Sequence, residues 1–246
     1  MWLFCFNFIL IQTQKMEGFI VKGDSAEIER FPHSVFLAIQ CSKYGRTTHS
    51  ICGASIINQL VVLSAAHCFD DCDSSLNIVG SAGNANRGNA LKSTVKYFMM
   101  HPRYDPFFPN NDIALAKLQT PFPLGPKISR VVITQNRYDT ATGYVAGWGY
   151  VNENTGTRWL KHTAQPLISR RDCEKVVGKI CDGCLSFVLY YSGDSGNALV
   201  VNNYIQVGIV SYKIPDKSQS VVMYTDVSYY YKWIKDNVEI LLCDFN

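Results

Sequence analysis

The stretch ASIINQLVVLSAAHC, Ala54 to Cys68, is rich in β-branched and aliphatic residues and ends on a histidine beside a cysteine. Such residues suit the pleated surface of a strand, and no glycine or proline breaks the run. Comparable stretches recur along the chain: SVFLAIQC from Ser34, STVKYFMM from Ser93, GYVAGWG from Gly143, NALVV from Asn197, YIQVGIVSY from Tyr204 and SVVMYTDV from Ser220. Between them lie clusters of Gly, Asn, Asp and Pro, such as GSAGNANRGN (80–89) and HPRYDPFFPNN (101–111), which supply turn conformations. Short strands with frequent turns predict an all-β sandwich or barrel. A helix is expected only at the end. There SYYYKWIKDNVEILL starts from Ser228 as an N-cap and sets Tyr230, Trp233, Ile234, Val238 and Leu241 on one face. The Pro-rich passage LQTPFPLGPKISR (118–130) reads as a connector between two halves of similar length, each able to close its own small barrel. No internal repeat is visible.

The 246 residues are 47% hydrophobic, enough for a sizeable core, which excludes disordered and collagen-like classes. A net charge of +3 with scattered Lys and Arg gives no reason to expect nucleic acid. The apolar run Trp2 to Ile11 is too short to span a bilayer and sits where the hydrophobic part of a secretory leader would, so residues 1–14 are expected to be a signal peptide. No later run reaches the roughly 18 residues of a transmembrane helix, so no membrane association is expected. Setting Cys5 aside, the cysteines at 41, 52, 68, 72, 173, 181, 184 and 243 form an even set, which favours disulfides in an oxidising compartment. Zinc is disfavoured, because no Cys-x-x-Cys pair is matched by a second pair or a histidine doublet.

Ser195 lies in YYSGDSGNALV, between two glycines and beside an aspartate. A serine hydroxyl becomes a nucleophile only with a base to take its proton and a third group to orient that base. His33, His49 and His162 stand in polar or turn contexts and read as surface side chains, as does His101 at the start of a Pro-containing turn. His67 differs. It ends an apolar strand, and a disulfide from Cys68 back to Cys52 would pin the backbone beside its ring. Asp112, in NNDIALAKL, opens another apolar strand.

LSAAHC, NNDIALAKL and SGDSGN occur in the order His, Asp, Ser, together with GWG (147–149) and GIVSY (208–212). With these motifs the chain from IVKG at Ile20 to about Leu242 resembles the trypsin and chymotrypsin family of serine proteases. An α/β-hydrolase does not fit: Asn197 stands where its Gly-x-Ser-x-Gly elbow needs glycine, and its triad order is Ser, acid, His. The resemblance implies two six-stranded antiparallel Greek-key β-barrels, about 20–125 and 126–246, with the active site between them and a C-terminal α-helix. It implies His67, Asp112 and Ser195 as the catalytic triad, and the backbone N–H groups of Gly193 and Ser195 as the oxyanion hole. It also implies activation by cleavage before Ile20, whose new ammonium would pair with Asp194 after loss of a short propeptide, 15–19. The residue before the activation bond is Phe19, where Arg or Lys is usual.

The specificity pocket maps to Leu189, Tyr190, Ser211, Tyr212, Lys213 and Val222. Leu189 takes the place of the acid that attracts Arg and Lys in trypsins, and Lys213 and Val222 stand where glycines are usual, so small or short aliphatic side chains are the expected substrates, with an acidic side chain, favoured by the Lys213 ammonium, as the alternative. The family implies disulfides Cys52–Cys68 and Cys173–Cys181. Cys41, Cys72, Cys184 and Cys243 leave three pairings open, of which Cys41 with Cys72 is favoured because their loops should flank one side of the first barrel. GSAGNANRGNALK carries almost no carboxylates where calcium-binding relatives have them, and neither a metal nor another cofactor is expected. Expected partners are a protein or peptide substrate, an activating protease and protein inhibitors, for a secreted, extracellular monomer. The alternative is a catalytically silent homologue that binds partners through its loops.

Overall fold

The computed structural model describes residues 23–43, 46–70, 72, 77–107, 110–138, 141–152, 155–178, 184–188, 195–214 and 218–243. Six strands make the first barrel: β1 (Ser34–Lys43), β2 (Arg46–Ile56), β3 (Val61–Ser64), β4 (Asn77–Ala82), β5 (Leu91–Met100) and β6 (Ala114–Leu118). They close in the order β1-β2-β3-β6-β5-β4. The expected strand Ala54–Cys68 divides in two. Asn58 turns the chain, its side chain accepting from Leu60 N at 3.1 Å and its backbone N–H donating to Val61 O at 3.0 Å. β3 (VVLS) and β6 (ALAKL) are buried along their whole length, which is why both are mainly apolar and do not alternate.

The second set is β7 (Thr142–Gly147), β8 (Lys161–Ile168), β9 (Cys184–Val188), β10 (Ala198–Val201), β11 (Ile205–Ile214) and β12 (Ser218–Asp226). Antiparallel pairings run β7-β8-β9-β12-β11-β10 and return to β7 through Leu199 opposite Val145. Each half therefore repeats one strand order without a sequence repeat, and the all-β two-barrel expectation stands. β4, β8 and β9 are strands that the sequence reading passed over.

The helices need one correction. A short helix, α1 (Arg170–Val177), precedes the terminal one; Ser169 caps it, accepting from Asp172 N at 3.2 Å. The terminal helix α2 (Tyr231–Cys243) begins later than Ser228 because Asp226 holds the preceding turn, its Oδ1 accepting from Ser228 N at 2.9 Å and Tyr229 N at 3.3 Å. Ile234 and Leu241 of α2 are fully buried and complete the first barrel's core, although α2 follows the second barrel in sequence. Conversely Ala26, Ile28 and Phe31, ahead of β1, pack with Trp148 and Leu160 beside the second. Each end of the described chain crosses to the far barrel.

Two histidines read as surface residues are inside. His33 is 3% exposed, close to Phe31, and His101 is 7% exposed, its ring against Tyr230 and Trp233. His49 is exposed as expected.

Candidate active site

His67 sits on a single 3-10 turn, Ala66–Cys68, at the end of β3. The disulfide Cys52–Cys68 ties that turn to β2, and Cys41–Cys72 ties the segment beyond it to β1. The ring is gripped from one side. Its Nδ1 lies 2.8 Å from Asp112 Oδ2, and its backbone N–H donates to Asp112 Oδ1 at 2.9 Å. A carboxylate only accepts, so Nδ1 carries the hydrogen and Nε2 is left as the basic nitrogen.

Asp112 is buried two residues ahead of β6 and is held from the second barrel. Ser211 Oγ donates to Oδ2, and Thr225 Oγ1 donates to the backbone carbonyl at 2.7 Å. Ser211 reaches it because β11 carries a bulge: Val210 faces Tyr224 and Tyr212 faces Met223, which leaves Ser211 as the extra residue aimed out of the ladder. Asn111 precedes Asp112 with φ 55°, a left-handed turn steadied by the Tyr230 hydroxyl donating to its side chain at 3.0 Å.

Burial alone would lower the His67 pKa and raise that of Asp112. The pair outweighs it: the Asp112 charge and hydrogen bond, with a smaller contribution from Asp70, hold His67 above its ordinary value. Charge and hydrogen bonding from His67, with the bonds from Ser211 and the His67 backbone, hold Asp112 below its own.

Ser195 heads a turn in the same corner and is half-exposed. Its carbonyl accepts from Gly53 N at 2.7 Å, and Gly53 is the neighbour of Cys52. Gly196, at φ 83°, donates to Val210 O at 2.8 Å, one residue before Ser211. A side chain at Gly196 would fall 2.3 Å from Gly53 O, so the left-handed dihedral and the close approach both require glycine. His67, Asp112 and the Ser195 turn are thus brought together by β2, β3, β6 and β11.

Of the other expected site residues, Ile20, Leu189, Tyr190, Gly193 and Asp194 lie outside the described residues, as does Cys181, so the Cys173–Cys181 pairing is not described. Lys213 of β11 pairs in register with Val222 of β12, and Val222 is 2% exposed. Ser211, expected in the pocket, has its hydroxyl on Asp112. The sequence offered one trace of that task, a polar residue interrupting the apolar run before Tyr212; Thr225 and Gly53 left none. Cys52, His67 and Cys68 form a cluster within 4.8 Å, but both sulfurs are spent in a disulfide and offer no thiolate to a metal.

Two closed antiparallel barrels with a buried aspartate–histidine pair and a serine turn at their junction define the class of the chymotrypsin-like proteins. The family profile Trypsin matches residues 20–234, and the chain belongs to that family. Hypodermin-B of Hypoderma lineatum is 30% identical over 92% of this chain and 90% of its own, and a chymotrypsin of Phaedon cochleariae is 30% identical over 89% and 82%. The solved structure of HL collagenase, 25% identical, superposes with a TM-score of 0.78 over 90% of this chain and 99% of that one. This kinship supports a serine protease, a hydrolase acting on protein substrates. Among the described residues no helix is long and apolar enough to cross a membrane.

Proposed function

We propose that the chain is a secreted serine endopeptidase working through an acyl-enzyme, and that cleavage before Ile20 activates it. Ser195 Oγ attacks the scissile carbonyl while His67 Nε2 takes its proton; the imidazolium then protonates the leaving amine, and water repeats the cycle on the ester. Asp112 keeps the ring in the tautomer that presents Nε2 and stabilises the imidazolium. Gly193 and Ser195 N–H groups face the developing oxyanion, each worth roughly 3 kcal/mol. Pairing of the Ile20 ammonium with Asp194 orders that loop. Leu189, Lys213 and Val222 make the pocket unlike that of trypsins and favour small or short aliphatic residues.

The observation that carries this reading is the two-point grip of buried Asp112 on His67, at 2.8 and 2.9 Å, in the corner where Ser195 is bonded to Gly53. The test is hydrolysis of a peptide library by protein whose N-terminus is Ile20, beside Ser195→Ala. Cleavage after small aliphatic residues, lost in the variant, is expected. Dominant cleavage after Arg or Lys overturns the pocket assignment, and no cleavage by folded, processed protein favours a silent homologue.

A further inference from the structure

Asn197 follows the serine turn and is 1% exposed. Its side chain crosses from the second barrel to the first and lies on Gly53. A Cβ on Gly53 would fall 2.0 Å from Asn197 Oδ1, 2.2 Å from its Cγ and 2.7 Å from its Nδ2. Gly53 is also the residue whose N–H bonds the Ser195 carbonyl and whose own carbonyl accepts from Ser64 Oγ at 2.7 Å. On the other side Val210 binds the turn twice, accepting from Gly196 N at 2.8 Å and donating to Asn197 O at 3.0 Å.

We infer that Asn197 is a positioning residue for Ser195. The two Val210 bonds hold the turn to its own barrel, and the bond from Gly53 N–H sets one distance to the first barrel, about which turn and barrel can still pivot. A side chain wedged onto Gly53 two residues further on removes that freedom. His67 is tied to the same strand through Cys52–Cys68, so the wedge sets the turn against the base. The gap above Gly53 holds a side chain from position 197 or from position 53, but not both. This role rests on the reading of Ser195 as the nucleophile.

The test is a double-mutant cycle on processed protein, read as the rate of labelling by a serine-directed phosphonate, with kcat, KM and melting temperature alongside. Asn197→Gly and Gly53→Ala should each slow labelling about tenfold or more, and the double variant should return to within about threefold of the parent. In Asn197→Gly the loss should fall on kcat with KM little changed. A purely structural role would lower the melting temperature and leave the folded protein labelling at the parent rate. Should Gly53→Ala fail to fold, recovery of folding and labelling in the double variant makes the same case. Losses that simply multiply, or a double variant that also fails to fold, overturn the inference. A parent that does not label overturns the protease reading, and the positioning role falls with it.

Discussion

Asp112 works through both carboxylate oxygens and its carbonyl, which tie it to the His67 turn, to β11 and to β12. Removing its charge while keeping its shape, in Asp112→Asn, lets His67 take the wrong tautomer, so kcat should fall by about 10⁴ with the fold intact. The raised His67 pKa has its own signature. Catalysis needs the neutral ring, so kcat/KM should rise with pH along a single-proton limb whose midpoint lies above the ordinary imidazole value of about 6.5; a midpoint at or below that value contradicts the pairing. His33 is displaced in the opposite direction, held down to about 4 by burial. Between about 6.5 and that value the unfolded chain binds a proton that the folded chain refuses, so stability is whole above the upper pH and declines towards the lower, by about 3 kcal/mol. In His33→Gln the difference in melting temperature between pH 7 and pH 4.5 should shrink. That His33 and His101 are buried was not legible locally, because their covering rings come from packing that no neighbouring residue announces.

At the level of elements, the bulge in β11 turns an ordinary strand serine into a donor for Asp112. A one-residue register shift is not written in composition, so the hydrogen bond from Ser211 to Asp112 could not be read from the polar residue alone. The division of Ala54–Cys68 was hidden for a similar reason: Asn58 makes the turn without glycine or proline. The terminal helix was legible from its spacing, and its buried face matches that spacing. Only its start moved, because the Asp226 carboxylate holds Ser228 and Tyr229 in the turn ahead of it. Since Ile234 fills the first barrel's core, Ile234→Ala should cost about 2–5 kcal/mol, measured by urea denaturation. A loss below about 1 kcal/mol would mean that α2 is only loosely docked.

In the whole molecule the two barrels share one strand order and exchange their end segments: α2 completes the core of the first, and residues 26–31 cover the second. Neither half has a finished core alone, so thermal unfolding should be one transition with equal calorimetric and van't Hoff enthalpies; two resolved transitions would contradict the exchange. His67, Asp112 and Ser195 were readable because the chemistry demands those side chains. The groups that gather them, Gly53 N–H and Val210 N–H and C=O, were not, since they are backbone atoms that nearly every residue possesses. The central claim is that these parts form a working nucleophile. It is tested most directly by treating protein that begins at Ile20 with a serine-directed phosphonate and locating the adduct by peptide mass spectrometry. One adduct on Ser195, absent from Ser195→Ala and from His67→Ala, is the predicted result. Folded, processed protein that takes up no label, or carries it elsewhere, would contradict the account.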